Sequence, residues 1–155
     1  MKPNYIIGIW MALFLAVLGG VLVFHKDTDD FAKGEFGGVP ILLEYARTAE
    51  EREQGLSGRS EVPDNYGMLF VFETPDTYAF WMKDMLLPID IFWLDAEKQV
   101  VSFKENASPG QYPVESYSPS APALYVLETQ AGFASKYGIV KGTKLTAKDI
   151  FWFSK

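Results

Sequence analysis

Gly67-Met68-Leu69-Phe70-Val71-Phe72 (GMLFVF) is an unbroken apolar run of strand length. A strand with no polar alternation is one covered on both faces; periodicity alone leaves a short core helix as the other reading of the same six residues. Upstream, residues 40–46 read as a strand. Thr48 and Glu51 follow with the spacing of a capping box, in which each side chain satisfies an exposed amide at a helix start, so a short helix is expected to end near Gly55. Downstream, residues 77–83 and 89–94 are rich in aromatic and β-branched types and are separated by a short loop closed by Pro88. That pattern predicts a hairpin whose two strands pair.

Residues 99–104 add a strand. Residues 106–122 carry four prolines and four serines and predict a long loop able to cover a site. A strand over 123–129, one or two helical turns over 131–137 before Gly138, and an apolar end over 144–153 complete the chain. Six or seven strands joined mostly by turns favour a mainly β domain, an antiparallel β-sandwich or barrel with two short helices, over a doubly wound sheet.

The amino end differs in kind. Residues 5–24 (YIIGIWMALFLAVLGGVLVF) contain no charge, and at about 1.5 Å per residue they span roughly 30 Å of hydrocarbon. Bulky residues follow Gly19 and Gly20 where a cleavage site would need small ones, so the segment reads as one uncleaved transmembrane anchor. Lys2 precedes it, while Lys26 is outnumbered by Asp27, Asp29 and Asp30. The positive-inside bias therefore places the amino terminus in the cytoplasm and the domain outside, in the periplasm where the envelope has two membranes. The expected layout is an anchor over 1–26, a polar glycine-containing tether over 27–38 and a single globular domain over 39–155, the usual size of one core.

Composition narrows the chemistry. Of 155 residues with a net charge of −6, taking Lys2 and Lys26 with the anchor leaves 12 bases against 20 acids, about −8 on the displayed part. Nucleic-acid binding needs a basic face, which this balance opposes. The chain has no cysteine, hence no disulfide, thiolate metal site or cysteine nucleophile. Its single histidine is His25, at the membrane edge, which removes serine–histidine–acid triads and histidine zinc sites from the domain. No cofactor motif stands out, and Met68, Met82 and Met85 read as core rather than as thioether ligands to Cu(I).

Side chains alternate along a strand. Asp90 therefore shares a face with Phe92 and Leu94, Lys83 with Trp81, and Glu128 with Val126 and Leu124, and each charge interrupts a face that should be buried. Buried charges need partners, and Lys83 with Asp90 could pair across the hairpin loop. Together with Arg59 these groups form either an ion-pair network that fixes register or the floor of a cleft for a small polar or saccharide-like ligand, with Trp81 available to stack on a sugar. Asp90 and Glu128 are candidates for an acid and base pair. Asn106-Ala107-Ser108 matches the glycosylation triplet.

These residues belong to a larger pattern: Arg52, Gly55-Leu56 and Arg59; Gly67-Met68-Leu69-Phe70; Phe80-Trp81-Met82-Lys83; Pro88-Ile89-Asp90; Leu127-Glu128 and Gly132. In this order and spacing the chain, from about Val39 to Lys155, resembles the domain-of-unknown-function 192 family, an uncharacterised prokaryotic family. The resemblance implies a compact β-sandwich-like fold, often exported behind a signal or anchor, with no established activity. Family members commonly carry a methionine after the glycine–leucine pair and an amide after the lysine; here Ser57-Gly58 and Asp84-Met85 stand at those places. The expectation is a single-pass, membrane-anchored extracytoplasmic binding or accessory module. The alternatives are a cell-envelope carbohydrate hydrolase or lyase using Asp90 and Glu128, and a structural partner of another envelope protein.

Overall fold

The computed structural model describes residues 31–110 and 116–147. The proposed anchor over residues 5–24 lies outside the described residues, among which no helix is long and apolar enough to cross a membrane. The domain is mainly β with two short helices. In chain order it runs β1 (Phe31–Phe36), β2 (Val39–Ala46), α1 (Ala49–Gln54), β3 (Tyr66–Asp76), β4 (Phe80–Trp81), β5 (Ile89–Leu94), β6 (Val100–Ala107), β7 (Ser116–Tyr117), β8 (Ala123–Gln130), α2 (Phe133–Tyr137) and β9 (Leu145–Ala147). Seven strands form one sheet in the order β6-β5-β8-β3-β2-β1-β9, and β4 pairs with β7 apart from it.

The sheet curls until its two edges meet. Val100 N–H donates to the Thr143 carbonyl at 3.0 Å, Gly142 N–H to the Val100 carbonyl at 2.8 Å and Leu145 N–H to the Lys98 carbonyl at 2.9 Å. These bonds tie the start of β6 to the segment entering β9, so the sheet is a half-barrel closed at one corner. One core, including Phe36, Leu43, Leu69, Phe92 and Leu127, fills the curl with Phe133 of α2. A second, including Met68, Phe70, Ile91, Trp93 and Val126, lies on the other face beneath Leu56, Met82 and Tyr117. Strands β3 and β8 sit mid-sheet between these cores, which is why GMLFVF has no polar alternation.

Three expectations are corrected. The chain is not purely antiparallel, because β2 and β3 pair in parallel. Residues 47–65, with α1, make the crossover that a parallel pair requires. The predicted hairpin does not form either: β5 is flanked by β6 and β8, which leaves it no free edge, and β4 finds its partner in the long loop at β7. Residues 31–36, expected to belong to the tether, instead form β1 of the sheet. Residues 31–36 (FAKGEF) are polar enough to read as tether, yet they alternate, turning Phe36 fully inward. Met68, Met82 and Met85 are buried in the second core, as the packing reading of these residues expected.

Gly34 sits between two strands with no room for a side chain. A Cβ there would stand 2.7 Å from the Thr146 carbonyl oxygen and 3.0 Å from Leu43 Cδ1, and the first of these is backbone that cannot turn aside. Gly34→Val is expected to pry β9 from β1 and cost roughly 1–3 kcal/mol, read as a lowered urea midpoint. An unchanged midpoint would mean that β9 contributes nothing to the closure.

Candidate functional site

Helix α1 starts as the capping box predicts: the Thr48 side chain accepts from Glu51 N–H and the Glu51 carboxylate accepts from Thr48 N–H. It ends at Gly55, whose φ of 49° is open to glycine at little cost. A Cβ at Gly55 would meet Phe70 Cζ at 3.3 Å and Glu128 Oε2 at 3.7 Å, so the bare backbone here lets the loop press onto the sheet directly over Glu128. The loop is pinned beyond this point, where Ser57 Oγ donates to the Lys83 carbonyl at 2.8 Å and Gly58 N–H to the Asp84 carbonyl at 2.9 Å.

Between this loop, β3 and residues 78–81 lies a cleft of about 400 Å³. Its walls are aromatic and braced by ring contacts: Phe72 stacks on Tyr78 at 3.5 Å between centroids, and Phe80 meets Phe70 edge-on at 4.9 Å. Trp81 is half exposed at the mouth, and Lys83 Nζ rests 5.8 Å from the centre of its ring.

Glu128 lines the cleft from below. It is 4% exposed, and its Oε2 has no hydrogen-bond partner among the described residues. Burial pushes its carboxyl up to about 8, with the Arg59 guanidinium opposing the shift. Glu128 is therefore largely a neutral acid at pH 7, able to donate a hydrogen bond as well as accept one.

The other predicted residues separate. Strand register sets Glu128 opposite Ile91 and Asp90 opposite Thr129, so Asp90 projects to the other side of the sheet. The two carboxylates cannot act on one substrate as an acid and base pair, and Asp90 forms no ion pair with Lys83. Fully buried, Asp90 accepts from Asn106 N–H at 2.8 Å and Gly132 N–H at 3.1 Å through Oδ1, and from Ala134 N–H at 2.9 Å through Oδ2. It caps α2, whose N-cap residue Gly132 has no side chain to do so, and fills the register irregularity between β5 and β6.

Arg59 lies outside the cleft, beyond Gly55. Its Nη2 donates to both oxygens of Glu44 at 2.9 and 3.0 Å and its Nη1 to the Tyr66 hydroxyl at 2.9 Å, while Tyr66 donates to Glu44. Burial drives the Tyr66 phenol up to about 12 against the opposing Arg59 charge, so it stays a donor. Arg59 thus pairs with Glu44, a partner the sequence reading did not name, while Glu128 and Trp81 line the cleft.

Two residues escaped sequence reasoning. Glu44 is a lone acid in the apolar run VPILLEYA and is 2% exposed; strand alternation applied to β2 would have found it. Arg52 lines the cleft, and its place in the recurring motif was its only signal. Arg52 Nη1 donates to the carbonyls of Arg47 and Val71, the latter at 3.1 Å, and its guanidinium lies 5.2 Å over the Phe72 ring.

The model of the DUF192 family, described as an uncharacterized ACR, matches residues 32–147. Two crystal structures are similar. One, a protein of unknown function from Novosphingobium aromaticivorans, is 30% identical with a TM-score of 0.70, covering 84% of this chain and 95% of that one. The other, from Sinorhizobium meliloti and described as a putative transcription regulator, is 27% identical with a TM-score of 0.70, covering 76% of this chain and 93% of that one. No curated protein matches.

Proposed function

The chain belongs to the DUF192 family of uncharacterised proteins, and on that footing we propose that its domain is a membrane-tethered extracytoplasmic module that binds a small polar, saccharide-like ligand in the aromatic cleft. The observation that carries this reading is Glu128, a buried carboxyl with an unpartnered oxygen at the floor of a cleft walled by rings. An unpartnered buried polar atom costs stability, and its position in a concave site is what a binding role requires. Aromatic faces match the apolar faces of sugar rings, and a carboxyl below them can engage a ring hydroxyl.

The membrane tether rests on the uncharged segment over residues 5–24 and on the charge bias around it. The description of the Sinorhizobium meliloti relative does not carry over, since a displayed domain of about −8 lacks the basic face that phosphate contacts need. A hydrolase using Asp90 and Glu128 loses its basis because the two face opposite sides of the sheet.

Full-length protein in detergent micelles, heated against a panel of neutral and acidic sugars and small organic anions, should show at least one sugar raising the unfolding temperature, as ligands of the native state do. Trp81→Ala should weaken that sugar's binding about fivefold while leaving the unliganded transition in place. No shift with any sugar would count against the reading.

A further inference from the structure

The cleft presents a second polar feature besides Glu128. Arg52 spends Nη1 on the carbonyls of Arg47 and Val71 and lies over the Phe72 ring. Its planar fork is therefore fixed before any ligand arrives. The opposite edge of the guanidinium, Nε with Nη2, has no acceptor among the described residues, and no salt bridge there reaches Arg52. That edge is the one that receives a carboxylate through two parallel hydrogen bonds.

Building on the binding reading above, we propose that the cleft selects a sugar bearing a single carboxylate, a uronic acid in chemical class, holding the carboxylate on the Nε–Nη2 edge of Arg52 and a ring hydroxyl on Glu128. The aromatic wall between them supplies the ring-stacking surface. Glu128 does not repel such a ligand at neutral pH, because burial keeps its carboxyl protonated. The one other acid lining the cleft is Glu53, exposed beside Arg52. Its charge, and the acidity of the whole domain, favour a ligand with one negative charge over a polyanion.

Calorimetric titration of the full chain in detergent micelles at pH 6.5 with D-glucuronate, D-glucose and acetate separates the cases. D-glucuronate is expected to bind about tenfold more tightly than D-glucose, with acetate weakest for want of a ring. Arg52→Lys keeps the charge but not the two-pronged edge, and should bring the two sugars' affinities toward equality. Equal binding of both sugars by the wild type overturns the selectivity while leaving the saccharide cleft standing. Acetate binding as tightly as D-glucuronate reduces the site to a bare anion contact and also overturns it, as does an Arg52→Lys protein with undiminished preference. If neither sugar binds, the saccharide reading falls and takes the selectivity with it. Should the variant fail to fold, the wild-type ratio decides alone.

Discussion

Asp90→Ala is expected to destabilise the domain by about 3–5 kcal/mol, lowering its melting temperature by roughly 10–20 °C. The carboxylate is fully buried and accepts three backbone N–H bonds, from Asn106, Gly132 and Ala134. Bonds to a charged acceptor are the strong kind, and truncation would leave all three amides unpartnered in the core. Asp90→Asn should fall between, at about 1–3 kcal/mol, because the amide keeps one acceptor oxygen and turns an NH2 group toward a donor. Denaturant unfolding measures both, and any sugar binding should survive in the folded fraction. A loss below about 1 kcal/mol for the alanine variant would mean that Asp90 does not hold α2 and β6 in place.

A change of the opposite sign is expected at Glu128. Its carboxyl is raised from 4.5 to about 8 by burial, so between those values the folded chain binds a proton that the unfolded chain has released. Its contribution is fully present below about 4.5, declines as pH rises through that window and levels off above about 8. Glu128→Gln cannot ionise. At pH 9 it should be more stable than the wild type by on the order of 2–4 kcal/mol, with the advantage vanishing near pH 4.5, while ligand affinity drops. A site that gains stability when disarmed is one whose residue is kept for something other than the fold. Parallel unfolding curves for the two proteins across pH 5 to 9 would remove that inference.

The strands buried on both faces were legible because their composition leaves no alternative: β3, β5 and β8 lie within a residue or two of the apolar or β-branched runs that mark them, apart from the polar end of β3 past Phe72. The capping box and Gly55 fixed α1 at both ends. Pairing was less legible, since partners are chosen by tertiary contacts that a single strand does not encode. The loop after β4 resembles a hairpin turn, but β5 had two better neighbours in β6 and β8. Strand β1 was hidden by Lys33 and Glu35, which point outward from an edge-proximal strand while Phe36 points in.

The site follows the same division. Alternation marked Asp90 and Glu128 as charges on buried faces, and both are buried; Lys83, marked with them, lies half-buried beside the half-exposed Trp81 rather than on a buried strand face. Whether two such faces coincide depends on register, and a shift of one residue between β5 and β8 exchanges every side chain between the sheet's two sides. The observed register pairs Ile91 with Glu128, which sends the two acids apart and gives them different work. Arg52 lay beyond reach for a different reason: its value comes from which of its donors are already occupied, and that is a property of distances alone.

The most direct test follows the Glu128 side-chain carboxyl carbon by NMR through a pH titration of the full chain in micelles, with and without saturating D-glucuronate. The midpoint should stand near 8 in the free protein and move when the sugar occupies the cleft. A midpoint in the ordinary carboxylate range, or one that the sugar does not move, would show that Glu128 is not the sealed floor of a ligand site.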